Sequence, residues 1–199
     1  MDKISELKTW IDFKKGNQDA LSRIYKENVD FLFSYGKKYT KDEQLILDVI
    51  QAIFCYIIER RNNLGDTDNI RLYLLKSFRR KLFSEFGALK KQESFHDEFE
   101  INIVFPIEET IIKKEESSQI ELSLSKALKE LNDKQREILY YKFSLNLGYE
   151  DICDILGISY NSARQMVSRS ISILRKHMKK NGLILIFMVN RKYFCYVLK

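Results

Sequence analysis

Two runs of apolar residues at helical spacing, parted by a glycine, constrain this chain more than any other feature. Ile152, Ile155 and Leu156 precede Gly157, Ile158 follows it directly, and Ala163, Met166, Val167, Ile171 and Leu174 come after. Side chains three and four apart share one face of an α-helix. The pattern therefore predicts a helix over 149–156, a tight turn, and a second helix over 160–180. Gly157 stands where the first helix must stop in a left-handed residue, and Ser159 can cap the second by accepting backbone N–H bonds. Small Ala163 lets the two helices cross closely, with Ile158 plugging the core between them. This is the spacing of a helix-turn-helix.

The other face of the second helix carries Tyr160, Asn161, Ser162, Arg164, Gln165, Ser168 and Arg169, with Ser159 just ahead. Arg, Asn and Gln make paired hydrogen bonds to base edges, and Ser, Tyr and Arg hold phosphates. No acid occurs from Asn161 to Lys180, whereas an ordinary solvated helix face mixes both signs. The face is expected to enter a DNA major groove, its first turn pointing at bases.

The rest of the chain reads as helical too. One proline and seven glycines in 199 residues leave few turn signals, and the long stretches are rich in Leu, Ile, Lys, Glu and Arg. Leu45, Val49, Ile50, Ile53, Phe54, Ile57 and Ile58 predict a strong amphipathic helix over 42–61. Ahead of it lie expected helices over 20–39 and, more weakly, 4–13; behind it, 62–69 reads as a turn before a helix over 70–86. Helices over 117–131 and 133–143, the latter capped by Asp133, lead into the helix-turn-helix. The fold class expected is all-α, as two small helical domains joined by an acidic linker.

Charge marks the joints. From Arg60 to Lys91 nine bases face three acids, and from Glu93 to Glu121 nine acids face Lys113 and Lys114 in a stretch that also holds Pro106. The divisions expected are a domain over 1–92, an acidic linker over 93–116, a second domain over 117–180 and a tail over 181–199. The apolar run 183–189 is far shorter than the roughly 20 residues a membrane span needs, so it is expected to pack onto the body as a short strand or helix. A net charge of +6 favours an anionic partner. Cys55, Cys153 and Cys195 are odd in number and lack metal-ligand spacing, which fits reduced thiols in a cytoplasmic protein. The first fifteen residues have no apolar core of signal-peptide length. His96 and His177 lie in unrelated settings and the glycines form no phosphate-binding loop, so neither an enzyme, a metal site nor a cofactor is expected. His177 reads as a solvated helix residue.

The run LNDKQREIL at 131–139, followed by YEDI at 149–152, LGIS at 156–159 and Leu174-Arg175, resembles region 4 of the sigma-70 family, above all the extracytoplasmic-function sigma factors. Independently, DVIQAIF at 48–54 with IIERR at 57–61 resembles the region 2 helix that grips core RNA polymerase. NIRLYLL at 69–75 and SFRRK at 77–81 continue that likeness into the part contacting the promoter −10 element. The resemblance implies core RNA polymerase and promoter DNA as partners, and it leaves open an anti-sigma protein. It implies polymerase contacts at Asp48, Gln51, Phe54, Glu59, Arg60 and Arg61. It implies −10 contacts at Arg71, Tyr73, Lys76, Arg79, Arg80 and Lys81, with the face from Ser159 to Arg169 reading the −35 element. Trapping unpaired bases needs charge and rings together. Tyr73, Phe78, Phe83 and Phe86 offer the rings, Phe86 being expected in the core with Leu72, Leu75 and Leu82, and Tyr73 at the surface. Ala52, Ile58, Arg80, Ser84 and Asn132 depart from the family pattern. The competing expectation is a helix-turn-helix regulator whose N-terminal bundle dimerises or senses a signal.

Overall fold

The computed structural model describes residues 3–92 and 119–179, and these are helical throughout apart from turns. The all-α expectation is borne out among them. The acidic linker and the apolar tail lie outside the described residues. The chain divides into two compact units, Met1–Ile101 and Asn102–Lys199.

The first unit holds α1 (Lys3–Lys14), α2 (Gln18–Gly36), α3 (Glu43–Glu59) and α4 (Ile70–Gln92), with a short 3-10 turn at Arg61–Asn63. Asn17 and Asp42 begin α2 and α3, each side chain accepting the backbone N–H three residues on, from Ala20 and Leu45, both at 3.0 Å. The helix expected to run to residue 39 stops at Gly36. A Cβ there would stand 2.8 Å from Cγ2 of Ile46 and 3.1 Å from the Phe78 ring, so the last residue of α2 has no room for a side chain. The core is built of Trp10, Phe13, Ile24, Leu32, Tyr35, Ile46, Ile50, Ile57, Leu74, Phe78 and Leu82, all nearly inaccessible.

Helix α1 is tied to the α3–α4 connection by three polar contacts. The Trp10 indole donates to the Gly65 carbonyl at 2.9 Å, Lys14 pairs with Asp66 at 2.5 Å, and the Glu6 carboxylate accepts the Ile70 N–H at 2.8 Å. Glu6 thus caps α4 from another helix, beside Asn69, whose side chain accepts from Leu72.

The second unit holds α5 (Gln119–Lys129), α6 (Asp133–Leu139), α7 (Tyr149–Leu156) and α8 (Tyr160–Lys179). Asn132, not Asp133, is the cap of α6. Its side chain accepts from the Gln135 N–H while Gln135 returns a bond to the Asn132 N–H, a reciprocal pair at 3.0 Å each. The helix expected to run to residue 143 widens at Tyr140–Ser144 into a π-turn, in which the Leu145 N–H reaches back to the Tyr140 carbonyl. Two charged side chains are buried in α6: Arg136 donates to the Leu128 carbonyl at 3.1 Å, and Glu137 accepts from the Tyr141 hydroxyl at 2.8 Å. Among the described residues no helix is long and apolar enough to cross a membrane.

Candidate nucleic-acid interface

The turn between α7 and α8 forms as its residues dictate. Gly157 is left-handed, with φ of 65°, and its N–H closes α7 on the Cys153 carbonyl at 2.8 Å. The Ser159 hydroxyl accepts the Ser162 N–H at 3.2 Å and lies 2.9 Å from the Ser162 hydroxyl. Ile152, Ile155, Ala163, Val167 and Leu174 are buried where the helices meet, Ala163 completely. Ser170, also fully buried, satisfies its hydroxyl on the Met166 carbonyl at 2.7 Å.

With that core fixed, Ser159, Tyr160, Asn161, Ser162, Arg164, Gln165, Ser168 and Arg169 are all exposed along α8 and its cap. They lie on the part of α8 and its cap left outside the core, and a major groove admits an α-helix. The Tyr160 ring meets Tyr149 edge-on at 5.6 Å, and the Arg164 guanidinium lies 6.0 Å from the Tyr160 ring centre. His177 lies 3.8 Å from Glu130, the residue after α5, with its side chain 36% exposed.

The first unit treats its candidates differently. Asp48, Gln51 and Glu59 are exposed on α3, Arg60 is exposed at its end, over the Tyr56 ring at 5.4 Å, and Arg61 is half-buried against the Ile58 carbonyl. Phe54 is not at the surface. It is 5 % exposed and takes the Tyr25 ring edge-on at 5.0 Å, because position 54 falls on the apolar stripe with Ile50 and Ile57.

On α4, Arg80 and Lys81 are exposed, while Lys76 and Arg79 are half-buried. Arg79 covers the Phe83 ring at 4.4 Å and Lys81 pairs with Glu85 at 2.6 Å. Arg71 is exposed but folded onto its own unit: it donates to the Glu27 carbonyl at 3.1 Å and lies over Phe31 at 5.0 Å. Tyr73, expected at the surface, is half-buried with its ring 4.9 Å from that of Trp10. Burial raises its pKa above the ordinary value, Tyr56 adding to the effect and Arg80 opposing it. Phe86 is in the core as expected, and so is Phe78; Leu72 is only half-buried, and Leu74 takes the deep position instead.

Sequence reasoning passed over Lys142 and Tyr149. Lys142 donates to the Leu147 carbonyl at 3.1 Å and lies 4.5 Å from the Tyr149 ring centre. A lysine set between the aromatic residues Tyr141 and Phe143 was the available signal.

The family model of sigma-70, region 4, matches residues 121–174, which takes in α7, the turn and most of α8. The match to sigma-70 region 4 thus falls within the C-terminal unit. The resemblance drawn from 131–139 and 149–175 is borne out there. Two solved structures share the fold of most of the chain. One is CnrH in complex with the cytosolic domain of CnrY, 13% identical with a TM-score of 0.56, covering 88% of this chain and 98% of that one. The other is the sigma factor RpoE in complex with the anti-sigma factor NepR from Bartonella quintana, 18% identical with a TM-score of 0.53, covering 83% and 98%. The fold common to these chains therefore extends beyond region 4 into the N-terminal bundle.

Proposed function

We propose that this chain is an alternative sigma factor of the extracytoplasmic-function type, acting in the cytoplasm. The N-terminal unit binds core RNA polymerase through the exposed side of α3, at Asp48, Gln51 and Glu59, together with Arg60 and Arg61 just past its end, and opens the −10 element against α4. The C-terminal unit reads the −35 element through α8. Arg164, Gln165 and Asn161 address base edges, while Ser159, Tyr160, Ser162, Ser168 and Arg169 serve base or phosphate contacts at the edges of the groove. Catalysis then belongs to the polymerase, and this chain supplies recognition and opening, with strong salt dependence because phosphate contacts dominate the affinity. An anti-sigma protein is the proposed regulatory partner, in keeping with the NepR complex of RpoE.

The observation that carries this is the polar and basic face of α8 and its cap Ser159, eight residues all exposed, within the stretch that matches region 4. The test is transcription by core RNA polymerase with the purified full-length chain on genomic fragments, followed by start-site mapping. Initiation at discrete sites supports the proposal. DNA binding with no polymerase association would leave a helix-turn-helix regulator in its place.

A further inference from the structure

The first turn of α8 does not stand alone. Tyr160 and Arg164 lie at the end of a line of side chains that begins outside the helix-turn-helix. Lys142 sits on the π-turn with its ammonium 3.1 Å from the Leu147 carbonyl and 4.5 Å from the centre of the Tyr149 ring. Tyr149, the first residue of α7, meets the edge of Tyr160, the first residue of α8, at 5.6 Å, and Arg164 follows at 6.0 Å from Tyr160. A cation draws toward the face of an aromatic ring, and rings prefer such edge contacts. Each member therefore narrows the rotamers open to the next.

The loop carrying this line is itself fixed. The Leu145 and Leu147 N–H groups bond to the Tyr140 and Tyr141 carbonyls, both at 3.0 Å, and Asn146 takes a left-handed turn with φ of 52°. Lys142 closes that loop by its bond to Leu147. Its ammonium is thus turned onto the protein, by one hydrogen bond and the Tyr149 ring, whereas Arg164 is exposed. Long side chains free to rotate lose entropy when they dock, so setting them beforehand sharpens discrimination.

We infer that Lys142 and Tyr149 are positioning residues: they set Tyr160 and Arg164 for base reading, so that promoter preference depends on a lysine outside the helix-turn-helix. This rests on the −35 reading proposed above. It places Lys142 behind the interface, not on the DNA backbone.

The test uses holoenzyme assembled from the full-length chain and core RNA polymerase, on a promoter library randomised across the upstream element. Lys142→Met should flatten preference by about tenfold at the one or two positions read by Tyr160 and Arg164, the scale of a lost bidentate base contact. The remaining positions and the slope of affinity against salt should stay as in wild type. Lys142→Arg should restore the preference. Tyr149→Leu should act like Lys142→Met, and Tyr149→Phe like wild type, since the ring and not the hydroxyl is used. Combining Lys142→Met with Arg164→Ala should be no worse than Arg164→Ala alone at the position read by Arg164.

A uniform loss at all positions, with the salt slope reduced by about 0.9, would make Lys142 a phosphate contact and overturn the inference. Equal loss in Tyr149→Phe, or an unchanged preference in Lys142→Met, would overturn it as well. A wild-type holoenzyme with no upstream preference would instead overturn the −35 assignment, and with it this dependent role.

Discussion

The two units put their polar surface to opposite uses. In the C-terminal unit the core is small, and every candidate contact residue from Ser159 to Arg169 faces outward. In the N-terminal unit the core is large and aromatic, and it draws the candidates inward: Phe54 is buried, Tyr73 lies against Trp10, Arg71 against Phe31 and Arg79 against Phe83. Arginines and aromatics serve packing as readily as recognition. Residue type alone therefore locates an interface only where the element has little else to pack.

That difference is most open to challenge at Phe54. Phe54→Ala should lower the stability of the N-terminal unit by about 3–5 kcal/mol, the usual cost of emptying a buried aromatic site. Any loss of polymerase association would then come through unfolding. Gln51→Ala, on the exposed side of the same helix, should leave thermal unfolding within about 0.5 kcal/mol of wild type while weakening polymerase association. If Phe54→Ala melts like wild type yet loses the polymerase, Phe54 is a contact and the contrast between the units fails. Arg164→Ala supplies the converse: unchanged melting, with about 1–3 kcal/mol lost in binding to the upstream element and a relaxed preference at one base.

The same division explains what was legible in the sequence. Helices appeared wherever apolar periodicity was long, and α7 and the turn were placed correctly because Gly157 and Ser159 act through their own backbone and neighbours. The need for a glycine at the end of α2 was not legible, since the side chains that leave no room for a Cβ at Gly36, Ile46 and Phe78, are distant in sequence. Glu6 gave no sign of capping α4, a contact across 64 positions. The π-turn was hidden because its residues carry no glycine or proline and only the hydrogen-bond pattern changes. Of the candidate site, the α8 face was readable because one-sided charge has no packing explanation. On α4, rings and cations follow one another so closely that burial alone could sort them.

Two glycines, one in each unit, sharpen this. Gly36→Ala should cost about 1–3 kcal/mol through overpacking, because its Cβ would stand 2.8 Å from Ile46. Gly157→Ala meets nothing within 4 Å, so its cost of about 1–2 kcal/mol is purely that of holding φ at 65° with a side chain. Trimming Ile46 to Ala, which removes both γ carbons that the new Cβ would meet, should make the added cost of Gly36→Ala smaller than in the wild-type background. No core substitution should relieve the second, and denaturant melts of the single and double variants separate the two.

The smallest expected effect concerns Tyr73 in alkali. Its folded pKa lies above the ordinary value near 10, chiefly because burial disfavours the phenolate. Below pH 10 both folded and unfolded chains keep the proton, and the stability from burying the neutral ring is fully present. As pH rises past 10 the unfolded chain ionises first, so stability drains away until the folded pKa is passed. Tyr73→Phe keeps the ring against Trp10 but cannot ionise, and its melting temperature should fall less steeply between pH 9 and about 11.5 than that of wild type. The other tyrosines titrate in both proteins, so the difference between the two curves isolates this hydroxyl. Parallel curves would mean that Tyr73 is as free as the surface expectation had it, and the −10 face would then regain a stacking ring that the contact with Trp10 now claims.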